Sequence, residues 1–248
     1  MQKVSYTDAQ YGIRDDFADS HSRFWKRLSE PGAWFTSAER IKIAKEVRAA
    51  RVCPFCQARR EALSPNAVVG EHTQVTDLSP LMVDVIHRIA TDAARLSESW
   101  YQQVLADGLT EGEYVEIVGT IVAMVSIDSF AIGIGVPLRE LPEPGPGKPS
   151  RYVPPRIERG GDAWVPMVPA DNSDTPEADL WLAGRTGNVI RAMSLVPDEV
   201  RTLGDLSAAH YLPNRVVREA GVDAGRALNR SQMEIVAGRV SALNECFY

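Results

Sequence analysis

Apolar residues recur at helical spacing along most of the chain. Phe17 to Leu28 reads as a first short helix. Ile41, Ala44, Val47 and Ala50 mark one face of a second, which Thr36 or Ser37 would cap, with Glu39 in its first turns. Pro54 suits the first position of a further helix, directly after Cys53. Residues 63–79 carry loop signals in Ser64-Pro65-Asn66, Gly70 and Ser79-Pro80. Residues 81–107 read as one helix, with Val85, Ile89, Leu96, Trp100 and Val104 as core and Gly108 as its stop. Thr110-x-x-Glu113 has the form of a capping box and opens an apolar helix from Tyr114 to about Ile134. Helical patterning returns near 177–195, then over 198–212 and 230–248. Strand signals are scarce, so the expected fold class is all-α.

Ten of the sixteen prolines lie between residues 137 and 176. Proline at that density excludes helix and predicts an extended, semi-rigid connection on the surface. Tyr152 and Trp164 are the side chains it could offer to a partner. The regions on either side resemble each other. Val85-Ile86-His87-Arg88 parallels Val189-Ile190-Arg191-Ala192, and TEGEYVEIVGTIVAMVSIDSF (Thr110 to Phe130) parallels NRSQMEIVAGRVSALNECFY (Asn229 to Tyr248). Placing Glu116 on Glu234 sets Asp128 on Cys246. The second region holds extra residues near 213–227. The expected organisation is an N-terminal helical region with a Cys-x-x-Cys pair (1–77), a first repeat (78–136), the Pro-rich linker (137–176) and a second repeat (177–248). The two repeats would form a pseudo-two-fold pair. The competing reading is a chance likeness of two amphipathic helices.

Composition narrows the function classes. Hydrophobic residues make up 44% and charged residues 24% of the 248-residue chain, the balance of a globular protein. With 33 acidic against 27 basic residues, the net charge is −6, which argues against a broad grip on nucleic acid. No apolar run approaches the ~20 residues of a membrane span, and the N-terminus has no secretory pattern. Three cysteines do not make a disulfide scaffold. A cytoplasmic location, with no nucleic-acid or membrane partner, is the expectation. P-loop, dinucleotide and His-Glu-x-x-His motifs are all missing, so no cofactor is expected.

The chemistry concentrates at cysteines. Glu234 precedes Cys246 by twelve residues, with Met233, Val236, Val240 and Leu243 as an apolar stripe between them. The stretch Met233-Glu234-x-Val236-Ala237-x-x-Val240-Ser241-x-x-Asn244-x-Cys246-x-x resembles the carboxymuconolactone decarboxylase/alkylhydroperoxidase-D superfamily, whose redox branch carries Glu-x11-Cys-x2-Cys-x3-His. The wider resemblance is to a two-repeat, alkylhydroperoxidase-related subgroup, some of whose members carry selenocysteine as the second motif residue. It extends over the EVRAARVCPFCQARREALSP region, the HRIATD and EYVEIVG helices and the linker. The resemblance implies an antioxidant peroxidase that takes a hydroperoxide substrate and a thiol reductant, with Glu234 as base or orienting group and Cys246 as a redox thiol. Homo-oligomers are common in the superfamily. Only the first half of the motif is present, because Tyr248 stands just before the second cysteine position. The implied continuation is a selenocysteine, encoded by UGA, with a histidine four positions later; the other readings are a genuine chain end, a deliberate truncation or another frame error. Without those residues the 248-residue chain is expected to lack peroxidase turnover. A non-catalytic helical scaffold or redox-sensing protein of the same fold is the alternative. In the first repeat Glu116 is kept, while Asp128, Ala131 and Gly135 occupy the other motif positions, so that copy reads as structural.

Cys53-x-x-Cys56 is a second redox candidate, flanked by Arg48, Arg51, Arg59 and Arg60. It lacks the strand context of a thioredoxin site and the superfamily spacing, since Glu39 lies fourteen residues before Cys53 and Arg60 stands where the histidine would be. A redox or resolving role, structural thiols and metal all stay open. Zinc needs four ligands; His72 offers a third and no fourth stands out, so no metal site is assigned. His87 and His210 are expected to pack or to hydrogen-bond, and none of the four histidines has catalytic spacing to a cysteine.

Overall fold

A computed structural model describes residues 3–161, 163–182, 184–213, 216–217, 225–244 and 246. Most of the 213–227 segment, with Phe247 and Tyr248, lies outside the described residues. The protein is all-α: helix makes up 52%, with nine helices and no strands among the described residues. These are α1 (Asp15–Leu28), α2 (Ser37–Ala50), α3 (Pro54–Glu61), α4 (Pro80–Asp92), α5 (Glu98–Ala106), α6 (Glu111–Gly133), α7 (Asn188–Arg191), α8 (Pro197–His210) and α9 (Arg230–Leu243).

Local chemistry accounts for the starts. Thr36 with Glu39, and Thr110 with Glu113, form full capping boxes on α2 and α6. Ser79 and Ser97 cap α4 and α5. Pro54 opens α3 with Cys53 as its N-cap, and Gly108 follows α5 at φ 112°, a conformation that glycine adopts without strain.

Helix α6 is the axis of the fold. It packs against α2 and α4 on one side and α8 on the other, while α1 lies against α8 and α2. Trp25, Ile43, Ile86, Tyr101, Ile117, Met124 and Ile127 are fully buried around it. By length and composition α6 could cross a membrane, contrary to the expectation that no apolar run comes close. Its apolar character is explained by burial on several faces, and it also buries Glu116, Thr120 and Asp128.

The buried acids of α6 are ion-paired. Arg48 makes a two-pronged ion pair with Asp128 at 2.9 and 2.8 Å. Arg40 lies between Glu116 (3.4 Å) and Glu199 of α8 (3.3 Å). That triad depends on Gly119, because a Cβ there would come within 2.4 Å of Glu199 Oε2 and 2.6 Å of its Cβ. Gly119→Ala is therefore expected to push α8 off α6. Overpacking of this kind costs about 1–3 kcal/mol, which thermal unfolding would register as a melting temperature lower by roughly 3–10 °C.

Three expectations change. The single helix over 81–107 is two, α4 and α5. Asp92 leaves helical geometry (φ −150°, ψ 38°), and residues 93–95 form a 3₁₀ turn. Arg95 is drawn to Asp92 and to the carbonyls of Ala62 and Arg59 at the end of α3. Among the described residues of 177–195 only Asn188–Arg191 is α-helical; Gly184, at φ 69°, and Gly187 precede it. The stripe on α9 faces outward: Val236, Val240 and Leu243 are exposed, and Met233 is half-buried.

After α6 the chain runs without helix or strand over residues 136–154, and turns follow over 172–182. It is tied to the loop after α1 by Gly145 N–H to Ser29 O, Ser150 N–H to Gly32 O and Arg151 N–H to Ala33 O. Trp164 stacks on Tyr101, and the Tyr152 hydroxyl donates to Glu177.

Candidate dithiol and histidine site

Helix α2 ends at Ala50, and three residues later Cys53 caps α3. This tight corner places both thiols between α2, α3 and α4. Cys53 and Cys56 are buried, at 2% and 3% exposure, and both are free thiols. Cys53 Sγ accepts the backbone N–H of Thr73 at 3.3 Å.

Two imidazoles face the sulfurs. His87, fully buried on α4, sets Nδ1 3.3 Å from Cys56 Sγ. His72, from the 63–79 loop, sets Nδ1 3.4 Å from Cys56 Sγ and 3.9 Å from Cys53 Sγ. Their far nitrogens meet carboxylates. His87 Nε2 lies 3.1 Å from Glu46 Oε2, and His72 Nε2 lies 3.0 Å from Asp84 Oδ1. A carboxylate oxygen accepts, so each Nε2 donates to it; the Nδ1 beside the sulfurs accepts from a thiol when the ring is neutral and donates to a thiolate when it is protonated.

The carboxylates are themselves held. Glu46 Oε1 accepts from the N–H groups of Val75 and Thr76 (3.0 and 2.7 Å) and from the Thr76 hydroxyl (2.6 Å). Asp84 accepts from Arg59 and Arg88. Burial opposes its charge, but His72 and the two guanidinium groups outweigh it and bring Asp84 down to about 2.

The same balance separates the two thiols. Burial disfavours the Cys53 thiolate, yet the backbone N–H groups of Thr73 and Cys56, with His72 and the Cys56 thiol, overcome it and lower Cys53 to about 5. Burial, then the hydrogen bond and charge of Cys53, push Cys56 up to about 12. One is ready as a nucleophile and the other keeps its proton.

A cleft of about 680 Å³ opens onto both cysteines. Val47, Ala90 and Val125 form apolar wall, and Arg51 and Arg60 bring positive charge. Asn244, just past the end of α9 and two residues before Cys246, also lines it.

The C-terminal candidates are placed differently. Glu234 is on α9, where the Tyr211 hydroxyl and Arg230 bond its carboxylate and hold it below the usual range. Cys246 is exposed. Among the described residues no hydrogen bond joins Glu234 to Cys246. His210 bonds to His21 at 2.7 Å.

Sequence reasoning found Cys53, Cys56 and His72 but missed Glu46, Asp84 and the part played by His87, which supplies the fourth group beside the thiols. The available signal was an acid and a histidine on otherwise apolar helix faces: Glu46 beside Ile43 and Val47, and His87 beside Val83 and Ile86. Compared with protein-family models, curated proteins and solved structures, the chain matches none.

Proposed function

We propose that this chain is a thiol-dependent redox protein that reduces a hydroperoxide at Cys53–Cys56 and is reset by a thiol reductant. The reading keeps the reaction class implied by the resemblance to the alkylhydroperoxidase-D superfamily and moves its centre from Glu234–Cys246 to the buried pair. A two-repeat ancestry, with a Pro-rich linker between the copies, belongs to the same reading. Glu116 and Asp128 support it as the first-repeat equivalents of Glu234 and Cys246, retained as ion-pair partners of α2.

The observation that carries the proposal is the line Cys56 Sγ, His87 Nδ1, His87 Nε2, Glu46, whose outer end, Cys56, lines an open cleft. Such a line gives a thiol a proton acceptor whose orientation and tautomer are set by a buried carboxylate. Cys53 sits at a helix N-terminus with backbone N–H groups on its sulfur, which favours the thiolate. The thiolate attacks the terminal peroxide oxygen, the O–O bond breaks, and the alkoxide leaves to take a proton as alcohol. Cys53 is left as a sulfenic acid. Cys56 then gives its proton to His87 and attacks the Cys53 sulfur. The hydroxide that leaves takes that proton, and water and a Cys53–Cys56 disulfide remain. Two thiols of the reductant return the disulfide to the dithiol.

The test is peroxide consumption by the reduced chain with dithiothreitol as donor. Wild type is expected to turn over. Cys53→Ser and Cys56→Ser should each lower sustained turnover by about a hundredfold or more. Wild-type rates in both variants would overturn the reading. So would turnover that is lost in Cys246→Ser and kept in Cys53→Ser, which would return the centre to the C-terminal motif.

A further inference from the structure

We propose that the reduced Cys53–Cys56 pair, together with His72 and His87, binds one divalent cation of the zinc class. Four ligand atoms of the right kind, two sulfurs and two imidazole nitrogens, lie within 4.8 Å of one another. A tetrahedral zinc with ordinary Zn–S and Zn–N bonds sets its ligand atoms roughly 3.3–3.8 Å apart. Three of the four sulfur–nitrogen separations are 3.3, 3.4 and 3.9 Å, and the fourth is within 4.8 Å, so movements of up to about an ångström complete the set.

The surroundings match a metal site more closely than dithiol chemistry requires. One imidazole with a carboxylate behind it serves a proton relay. Here there are two, both with Nε2–H on a carboxylate and both with Nδ1 on the sulfurs. That is the carboxylate–histidine–metal arrangement, in which the carboxylate fixes the ring and raises its basicity. The Thr73 N–H on Cys53 adds the backbone donation that stabilises a metal-bound thiolate. Two thiolates neutralise a divalent charge, and Arg59 and Arg88 balance Asp84. Soft sulfur with imidazole in a tetrahedral set selects zinc over magnesium or calcium.

The regulatory consequence rests on the redox reading of the same pair. A bound cation shares the thiolate electrons that Cys53 and Cys56 need for attack, so the loaded site reacts with peroxide more slowly than the free dithiol. Peroxide reaching it would give the disulfide, with two protons consumed, alcohol and water formed and the divalent cation released. A disulfide no longer supplies two thiolate ligands, so oxidation and metal binding exclude each other.

The experiment is a cobalt(II) titration of the reduced, metal-stripped full chain, followed by zinc competition, with a peroxide assay on a metal-free portion of the same preparation. One cobalt per chain is expected, with sulfur-to-cobalt charge transfer and the strong visible absorption of a tetrahedral site, displaced by one zinc. Cys53→Ser and Cys56→Ser should each weaken the charge transfer. Asp84→Asn, at a half-buried position where folding is less at risk, should lower the affinity about 10–100-fold. A reduced protein with no tetrahedral cobalt spectrum, or an unchanged affinity in both His72→Ala and Asp84→Asn, overturns the metal site. If that protein still consumes peroxide, the redox reading stands alone. A tetrahedral cobalt site in a chain that never consumes peroxide keeps the metal site and removes the redox reading.

Discussion

Arg40→Met is expected to lower the stability of the fold by about 3–5 kcal/mol at neutral pH, the usual result of removing one partner from a buried ion pair. Arg40 is 6% exposed at its side chain, and Glu116 and Glu199 are 0% and 2% exposed. Its guanidinium also donates to the carbonyl of Arg27 at 2.7 Å. Methionine fills much of the same volume but leaves both acids without their counter-charge and the Arg27 carbonyl without its guanidinium donor.

The pH dependence gives the loss a signature. Burial above all pushes Glu199 up to about 7; Arg40 pulls it down, and the charge of Glu116 adds to the rise. Burial raises Glu116 as well, against Arg40 and three backbone N–H groups. Folded-state values above the unfolded ~4.3 mean that the native state holds the extra protons. The contribution of these acids to stability is therefore greatest below about pH 4.3 and is lost as pH rises toward 7. Without Arg40 both acids move further up, and the loss continues above pH 7. Urea unfolding at pH 5 and pH 8 should show the variant much closer to wild type at pH 5. Equal stability at pH 8, or a pH slope like that of wild type, would show that the triad does not hold α2, α6 and α8 together.

The fold was legible where local rules decide it. Thr110-x-x-Glu113, Thr36 with Glu39, Cys53-Pro54 and Gly108 each acted in the structure as their chemistry requires. The pattern failed where tertiary contacts compete with helix periodicity. Arg95 captures the end of α3 and interrupts what would be a continuous helix over 81–107. The site divides the same way. Cys-x-x-Cys is a local spacing and was visible. His87 lies 31 residues beyond Cys56 and 41 beyond Glu46, and only the packing of α2 against α4 brings them together. Spacing rules search along the chain; an ionisable residue on an apolar helix face is the mark that such a cross-helix contact leaves. Glu234 shows the converse. Its spacing to Cys246 matches the superfamily motif, while the structure gives its carboxylate to Tyr211 and Arg230.

Glu46→Gln is expected to uncouple the two steps of peroxide reduction. The glutamine oxygen can still accept from Val75 and Thr76, so the loop anchor survives. Its amide nitrogen then faces His87 Nε2 and must donate. The imidazole responds by carrying its proton on Nδ1, which now turns an N–H toward Cys56 Sγ. A protonated Nδ1 can neither take the proton of Cys56 nor ligate a metal. Attack by Cys53 on peroxide does not use His87 and should proceed, whereas closure of the disulfide should slow by about 10²–10⁴-fold. Cys53 sulfenic acid would then accumulate, and a dimedone adduct measured by mass spectrometry after a single peroxide addition should be abundant in the variant and scarce in wild type. Cobalt affinity should fall in the same protein by about 10–100-fold. A merely structural Glu46 would change neither the sulfenic acid yield nor the order of the steps, only the unfolding midpoint. Glu46→Asp keeps the carboxylate and the Nε2–H tautomer, so it should restore disulfide closure at least in part. A variant that closes its disulfide as fast as wild type, with His87 still in place, would remove His87 and Glu46 from the reaction.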